Sequence, residues 1–297
     1  MGVGKIGATQ HVPAIASDPH FVLAATADPR NGDYPSLDEM LLAHGDIGAV
    51  ILCTPPQIRY GLARKALEAG KHVMLEKPPT ATLAELDELA VLAREKGVTL
   101  FTAWHSRHAA GVAPARDWLK ARTPAEIRVT WKEDVHVWHP GQDWIWRPGG
   151  WGVFDAGINA LSILSAILPI EFHVTGGELR FPANRDAPIA ASLTFGGAPV
   201  MAEFDWSRPG IETWEIVIGV AEKGGLLRLS QGGARLEIDG EVVPVGEGEE
   251  YPALYAEFAR LIAAGASEVD GGPLKQVTDA FRLARRVTVA PFHEQQD

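Results

Sequence analysis

Lys71-His72-Val73-Met74-Leu75-Glu76-Lys77-Pro78 is the stretch on which the reading of this chain turns. It follows a segment of helical pattern, Ile58 to Ala69, closed by Gly70, which can take the left-handed conformation of a helix C-cap. The run from His72 to Leu75 is too short for a helix and has the length and apolar character of a buried parallel strand. An acid, a base and a proline end it. In open α/β sheets ligands sit beyond the carboxyl ends of the strands, so Lys77 arrives where chemistry is expected. Pro78 steers Lys77 away from helical backbone angles.

Upstream, Gly2, Gly4 and Gly7 fit G-x-G-x-x-G, the turn that lets a backbone approach a pyrophosphate at a helix N-terminus. Gly2, Gly4, Lys5 and Ile6 therefore form the candidate dinucleotide turn. Phe21 to Ala27 reads as a strand ending at Asp28, about twenty residues past Gly7, where a dinucleotide fold places the acid for the adenosine ribose. Asp28 favours NAD as cofactor, while Arg30 leaves room for NADP. Asp28 also opens a turn, Asp28-Pro29-Arg30-Asn31-Gly32, and that simpler role stands beside the first. The apolar strand that should precede the glycine turn is missing. Because that strand is central in a doubly wound sheet, the expectation is a native start ahead of Met1.

Leu37 to His44 reads as a short helix and Ala49 to Cys53 as a strand, stopped by Thr54-Pro55-Pro56. Thr54 and Pro55 thus lie at another carboxyl end, able to border the nicotinamide ribose. Glu76 fixes its loop, contacts that ribose, or is simply a surface acid. Leu83 to Lys96 is an amphipathic helix closed by Gly97, and Val98 to Ala103 is a strand that delivers Trp104 and His105 to the same rim. This alternation makes residues 1–106 a Rossmann-type, doubly wound parallel sheet, α/β in class, with its first strand missing.

From residue 107 to 297 the pattern changes. A helix near Val112 to Ala121 leads into the alternating strand Glu126 to Glu133. Further alternating runs follow at Ile189 to Phe195, Val200 to Trp206, Trp214 to Val220, Leu226 to Leu229, Ala234 to Ile238 and Glu241 to Val245, separated by glycine-rich turns. This is an α+β domain on a largely antiparallel sheet. Two closing helices, Leu254 to Ala264 and Leu274 to Val287, are free to pack back on the first domain.

Composition limits the partners. A length of 297 residues and 46% apolar content suit two soluble globular domains. The net charge of −11 argues against nucleic acid or an anionic membrane surface. No apolar run reaches membrane-spanning length, no secretory leader opens the chain, and the single Cys53 fits a reducing compartment, so a cytoplasmic location is expected. The histidines lack ligand spacing with acids or Cys53, and no metal site is expected.

Polar and aromatic side chains crowd between Lys132 and Asn159. The order is Trp131-Lys132-Glu133-Asp134, then Trp138-His139-Pro140-Gly141-Gln142 and Trp144-Ile145-Trp146, then Gly149-Gly150 leading to Asp155-Ala156-Gly157-Ile158-Asn159. Asp155 and Asn159 are one helical turn apart, on one face. Flat rings beside Asp, Asn, Glu, Gln and His suit a sugar, whose C–H faces pack on aromatics while its hydroxyls pair with the polar groups.

On these residues the chain resembles the Gfo/Idh/MocA oxidoreductase family. The likeness rests on the glycine turn, Glu76-Lys77-Pro78, Gly149-Gly150 and Asp155-x-Gly157-x-Asn159, and it spans nearly the whole chain. Most of the family has histidine where this chain has Asn159. Asn there, with Trp104-His105-Ser106-Arg107 and Glu203-Phe204-Asp205-Trp206, is similar to the members that oxidise D-galactose and L-arabinose at C1. The resemblance implies Lys77 as a catalytic residue, with Asp155 as its rival for the proton. It implies Asn159 with Asp155 on the substrate, and Glu133, His139, Trp138 and Trp206 around it. It also implies hydride transfer from the anomeric carbon of an aldose to NAD or NADP, an aldonolactone product and a homodimer. Two alternatives stay open: a dehydrogenase for another polyol, inositol or dihydrodiol, and a sensor that binds NAD or sugar without turnover.

Overall fold

The computed structural model describes residues 1–210, 212–222, 224–246 and 248–293. The chain divides into two compact units, Met1–His105 with Glu249–Gly271, and Ser106–Gly248 with Gly272–Asp297. The contribution of 249–271 to the first unit means that a late helix returns to it.

The first unit has a three-stranded parallel sheet in sequence order: β1 (Ala49–Leu52), β2 (His72–Glu76) and β3 (Leu100–Ala103). Its helices are α1 (Val12–Ser17), which continues a π-helical turn Gly7–His11, α2 (Leu37–Ala43), α3 (Pro56–Glu68), α4 (Leu83–Lys96) and the late α8 (Glu250–Ala264). The strands pair with Ile51 beside Met74 and Met74 beside Phe101. Side chains alternate across a strand, so Met74 and Phe101 share one face with Glu76 and Ala103. That face packs on Ala14 and Ile15 of α1 and on Leu254, Tyr255, Phe258 and Leu261 of α8. Helix α4 begins with a capping box, Thr82 and Glu85 bonding each other's backbone, and ends at Gly97 in the left-handed region.

Phe21 to Ala27 does not form the expected strand. Ala27 makes one isolated bridge, to Tyr34, and 21–26 remain irregular. A strand exists only through its ladder, and none runs along this segment. Residues 20–26 instead line a cavity of about 550 Å³ shared with 46–51 and the first three residues. Met1 makes ladder bonds there: its amino group donates to Ile51 O at 2.8 Å, and Cys53 N–H donates to Met1 O at 2.9 Å. On the other side Gly2 N–H donates to Ala27 O at 2.8 Å.

The second unit is built on a nine-stranded mixed sheet. Its elements are α5 (Val112–Leu119), β4 (Pro124–Lys132), α6 (Val135–Trp138), α7 (Phe154–Ile167), β5 (His173–Pro182), β6 (Ala190–Gly196), β7 (Val200–Asp205), β8 (Thr213–Val220), β9 (Leu226–Ser230), β10 (Arg235–Ile238), β11 (Glu241–Val243), α9 (Gly272–Leu283) and β12 (Arg285–Val289). The order across the sheet is β11-β10-β9-β8-β4-β7-β6-β5-β12, antiparallel except for the pairs β4/β7 and β5/β12. Ile127, Val129 and Trp131 of β4 and Val200, Ala202 and Phe204 of β7 alternate inward. Gly157 of α7 sits so close to Phe204 that an added Cβ would lie 2.6 Å from its ring, which lets this helix bed down on the sheet.

One expectation fails here. The last helix ends at Leu283, not Val287, and 285–289 run as a strand. The sequence Arg285-Arg286-Val287-Thr288-Val289 has helix-compatible arginines, but its β-branched residues settle beside β5, which lies outside the alternating runs of the sequence.

Candidate active site

In the first unit, the carboxyl ends of β1 and β2 carry the candidate cofactor and catalytic residues. Arg59, buried in α3, spans them: its guanidinium donates to the carbonyls of Thr54, Glu76 and Pro78. These three carbonyl acceptors hold the two terminal nitrogens of a buried cation and fasten both turns at once. The Lys77–Pro78 peptide is cis. Lys77 itself is half-buried, and its backbone N–H donates to Glu76 Oε2 at 2.6 Å.

Glu76 is the last residue on the face that packs against α1 and α8, so its carboxylate points into the interior. Its Oε1 accepts the Tyr251 hydroxyl at 2.9 Å and lies 3.2 Å from His11 Nε2. His11 Nδ1 lies 2.9 Å from the Tyr255 hydroxyl. Burial alone would raise the Glu76 pKa, but the hydrogen bond and charge of His11, with His105 and Lys77, hold it down at about 2. For His11, burial pulls the pKa down, and the neighbouring Cys53 and Glu76 outweigh it, raising it to about 10. The result is a buried ion pair. His105 stacks on Tyr251 with ring centroids 5.3 Å apart and meets Glu250 Oε2 at 2.5 Å. Trp104 is buried and donates its indole N–H to Asp270 O at 3.0 Å.

The glycine turn packs closely. Gly2 has φ +87°, and an added Cβ would come within 2.9 Å of Thr54 N; at Gly7 it would lie 2.5 Å from Gly2 O. Lys5 and Ile6 are exposed beside Gly4, where a side chain would meet nothing within 4 Å. Asp28 ties this turn down: Oδ2 accepts Val3 N–H at 3.0 Å, and Oδ1 accepts Arg30 N–H at 2.9 Å and Asn31 N–H at 3.2 Å. Burial pushes the Asp28 pKa up, but the backbone bonds from Arg30, Asn31 and Val3, with the Arg30 charge, together outweigh it and leave the pKa lowered. Thr54 Oγ1 is buried and has no hydrogen-bond partner among the described residues. A dinucleotide fits these residues: backbone N–H groups at the turn, an acid at the end of Ala27, and a buried hydroxyl awaiting an acceptor or donor. Pro55 caps α3 beside that hydroxyl.

In the second unit the candidate substrate residues gather at the carboxyl end of β4. β7 is its parallel neighbour, so Glu133 and Trp206 leave the sheet side by side, and Glu133 N–H donates to Asp205 O at 3.1 Å. The antiparallel register with β8 places Trp214 opposite Trp131. Glu133 becomes the hub: Oε1 accepts the indole N–H of Trp206 at 3.0 Å and lies 3.1 Å from His139 Nε2, and Oε2 accepts that of Trp214 at 3.1 Å. His139 then reaches the next acid, its Nδ1 3.7 Å from Asp155 Oδ2 and 3.4 Å from Gln142 Oε1. Asp155 lies in the first turn of α7, with Asn159 half-buried one turn on. Gly150 ahead of it is demanded by another backbone, because a Cβ would fall 2.1 Å from Trp144 O.

The structure thus brings together Glu133, His139, Asp155 and Trp206 in one unit, and Glu76, Lys77 and Thr54 in the other. Trp206 is almost fully buried, at 1% exposure, and its ring packs on His139 at 4.7 Å and on Trp146 at 5.8 Å. Trp138 is 38% exposed and bonds Glu212 Oε2 at 3.0 Å. Sequence reasoning missed Arg59, His11, Tyr251, Tyr255 and Trp214. No local pattern marks them: each matters through a partner fixed by sheet register or by the return of α8.

Residues 1–104 match the profile of an oxidoreductase family with an NAD-binding Rossmann fold. The chain is 44% identical to a galactose 1-dehydrogenase from Pseudomonas fluorescens over 302 aligned residues, 99% of this chain and 97% of the relative. It superposes on the crystal structure of a D-galactose-1-dehydrogenase from Rhizobium etli with a TM-score of 0.92 at 51% identity, covering 98% of this chain and 96% of that one. A 3-ketoreductase from Actinomadura kijaniata, solved with NADP and TDP-benzene, shares the fold at 19% identity and a TM-score of 0.83, covering 97% of each chain. With likeness of that extent joined to the Rossmann turn and the Glu76-Lys77-Pro78 tip, the chain belongs to the Gfo/Idh/MocA family of NAD(P)-dependent oxidoreductases.

Proposed function

We propose that this oxidoreductase oxidises an aldose of the galactose type, D-galactose or L-arabinose, at its anomeric carbon to the aldonolactone. The observation that carries the reading is the row Glu133–His139–Asp155, spaced at 3.1 and 3.7 Å, with Asn159 one turn further along α7. A hydroxyl-rich substrate needs fixed polar partners, and this row holds Asp155 in place among indole rings, one helical turn from Asn159. Near-full-length likeness to proteins named galactose 1-dehydrogenase supports the sugar over an inositol or a dihydrodiol.

The cofactor would be held by the Gly2–Ile6 turn, Asp28, Thr54 and Pro55, with Glu76, Lys77, Trp104 and His105 at the nicotinamide end. When bound, its nicotinamide ring accepts the hydride that leaves C1. The chain's own work is to orient the ring and move one proton. Lys77 donates a hydrogen bond to O1 and steadies the charge that develops there; the O1 proton passes to Lys77 or to Asp155. Asn159 and Asp155 orient the hydroxyls next to the reacting carbon. Glu133, Trp206 and His139 hold Asp155 in place, and Trp138 offers an open ring to the sugar. The broad sheet face of the second unit, with Met201 62% exposed, supports a homodimer. The low Cys content and acidic charge agree with a cytoplasmic enzyme.

The test is the appearance of NAD(P)H absorbance on mixing the protein with each cofactor and a panel of aldoses, inositol and a dihydrodiol, with NMR identification of the product. A lactone from galactose or arabinose supports the proposal. A ketone at a ring carbon, or turnover confined to the other polyols, overturns it.

A further inference from the structure

The geometry points to His11 and Tyr251 as positioning residues for Lys77, acting through the carboxylate of Glu76. The inference rests on the reading that Lys77 works at the sugar's O1. Neither residue belongs to the Gly-rich turn or to the Glu76-Lys77-Pro78 tip, and α8 brings Tyr251 back from 175 residues downstream of Glu76.

The chain of contacts is short and complete. Glu76 Oε2 takes the Lys77 backbone N–H at 2.6 Å, while Oε1 takes the Tyr251 hydroxyl at 2.9 Å and faces His11 Nε2 at 3.2 Å. One carboxylate therefore holds the backbone of Lys77 with one oxygen and is itself held by the other. His11 is fixed in turn by Tyr255, with 2.9 Å between Nδ1 and the hydroxyl, and by the edge of the Tyr251 ring, 4.9 Å between centroids. His11, Glu76 and Tyr251 are all at most 8% exposed. Such a group costs too much to bury unless it organises something, and what it touches is the strand end that presents Lys77. A loosened Glu76 would free the Lys77 N–H and let its side chain wander from the reacting atom, which is costly even for small displacements.

The charged and titratable groups that face this carboxylate are His11, Tyr251, Lys77 and His105; Cys53, Tyr255 and Glu250 lie one step beyond. In the intact pair Glu76 stays ionised down to about pH 2. With His11 replaced by Asn, burial is left without its cation, and the carboxylate should take up a proton within the assay range.

Two measurements on the full-length chain decide the matter. The first is hydrogen exchange at the Lys77 amide, which needs no substrate. Tyr251→Phe, which keeps the ring and removes one donor, should speed that exchange about tenfold while melting cooperatively, and His11→Asn should do at least as much. The second is the pH profile of turnover with galactose. Tyr251→Phe should lower kcat about tenfold with KM for the sugar within about twofold of the parent, and His11→Asn should bring in an acid limb between about pH 5 and 7 that the parent lacks. Unchanged Lys77 exchange in both folded variants overturns the positioning role, and so does an unchanged kcat with no acid limb. If the parent oxidises no aldose, the substrate assignment fails alone, and the exchange measurement still judges the contact from His11 and Tyr251 to Lys77.

Discussion

Glu133 Oε1 accepts the indole N–H of Trp206 at 3.0 Å, across 73 residues of chain, because the parallel pairing of β4 with β7 releases both residues at the same sheet edge. With Trp214 and His139 on the same carboxylate, Glu133 serves three ring donors. Glu133→Ala should leave those donors buried and unpaired, at a cost on the order of 3 kcal/mol, and thermal melting should show a drop of several degrees. Glu133→Gln should keep much of the stability, yet disturb His139 and cut kcat at least tenfold. Equal melting and equal turnover in both variants would remove Glu133 from the site.

Lys77 and Asn159 should separate chemistry from binding. Lys77→Ala is expected to lower kcat by a factor on the order of 100 to 10,000, the range of a lost proton-handling group. Asn159→Ala should mainly raise KM for the sugar, by roughly tenfold for one or two lost hydrogen bonds. Asp155→Asn keeps the shape of its side chain, so a kcat loss as deep as that of Lys77→Ala would identify Asp155 as the group that takes the O1 proton. Steady-state kinetics with NAD(P) saturating is the measurement.

The buried pair sets how stability varies with pH. Glu76 has a depressed folded pKa, about 2 against an ordinary 4.5, so its contribution is full above about 4.5 and is lost as pH falls towards 2. His11 has a raised folded pKa, about 10 against an ordinary 6.5, so its contribution is full below about 6.5 and is lost as pH rises towards 10. Urea midpoints should therefore be highest between about pH 4.5 and 6.5 and decline above that window. His11→Asn should flatten the alkaline decline; an undiminished slope in that variant would assign it to other groups.

Cofactor choice should respond to Asp28. Its carboxylate stands at the end of Ala27 with one oxygen on the glycine turn and one on the turn that follows. Asp28→Ala should raise KM for NAD about tenfold and that for NADP less, because removing the acid relieves repulsion of a 2′-phosphate. An NAD preference that survives the substitution would leave Asp28 only its turn-capping role.

The 550 Å³ cavity of the first unit has backbone on two sides, and Met1 and Gly2 already bond to both. An apolar five-residue β-run fused ahead of Met1 should fill it, gaining about 1.5–3 kcal/mol per buried side chain against about 1–2 kcal/mol per residue of backbone entropy. Melting several degrees higher and tighter NAD(P)H binding are expected. A fused run that stays exposed to exchange and leaves both unchanged would show that the cavity does not accept a strand.

Much of the candidate site was legible because its residues carry local signals. Glu76-Lys77-Pro78 interrupts an apolar strand, and Asp155 with Asn159 keeps a helical spacing among glycines. Arg59, His11 and Tyr251 carried none. A lone arginine or histidine in a helix is ordinary until the carbonyls or carboxylate it meets are known. Trp206 differs again: its sequence context places it among the substrate candidates, and only the fold shows that its indole is buried and donates to Glu133.

Periodicity and turn chemistry are local, and they alone determined that this chain would alternate strand and helix up to Ala103, change to paired strands after it, and set Lys77 at a strand tip. Partnership is not local. Which strand lies beside β4, that 285–289 leave the helical pattern for β5, that 21–27 find no ladder, and that α8 brings Tyr251 to Glu76 were decided only by tertiary structure. Those outcomes depend on hydrogen bonds and buried area that exist only once distant segments have met.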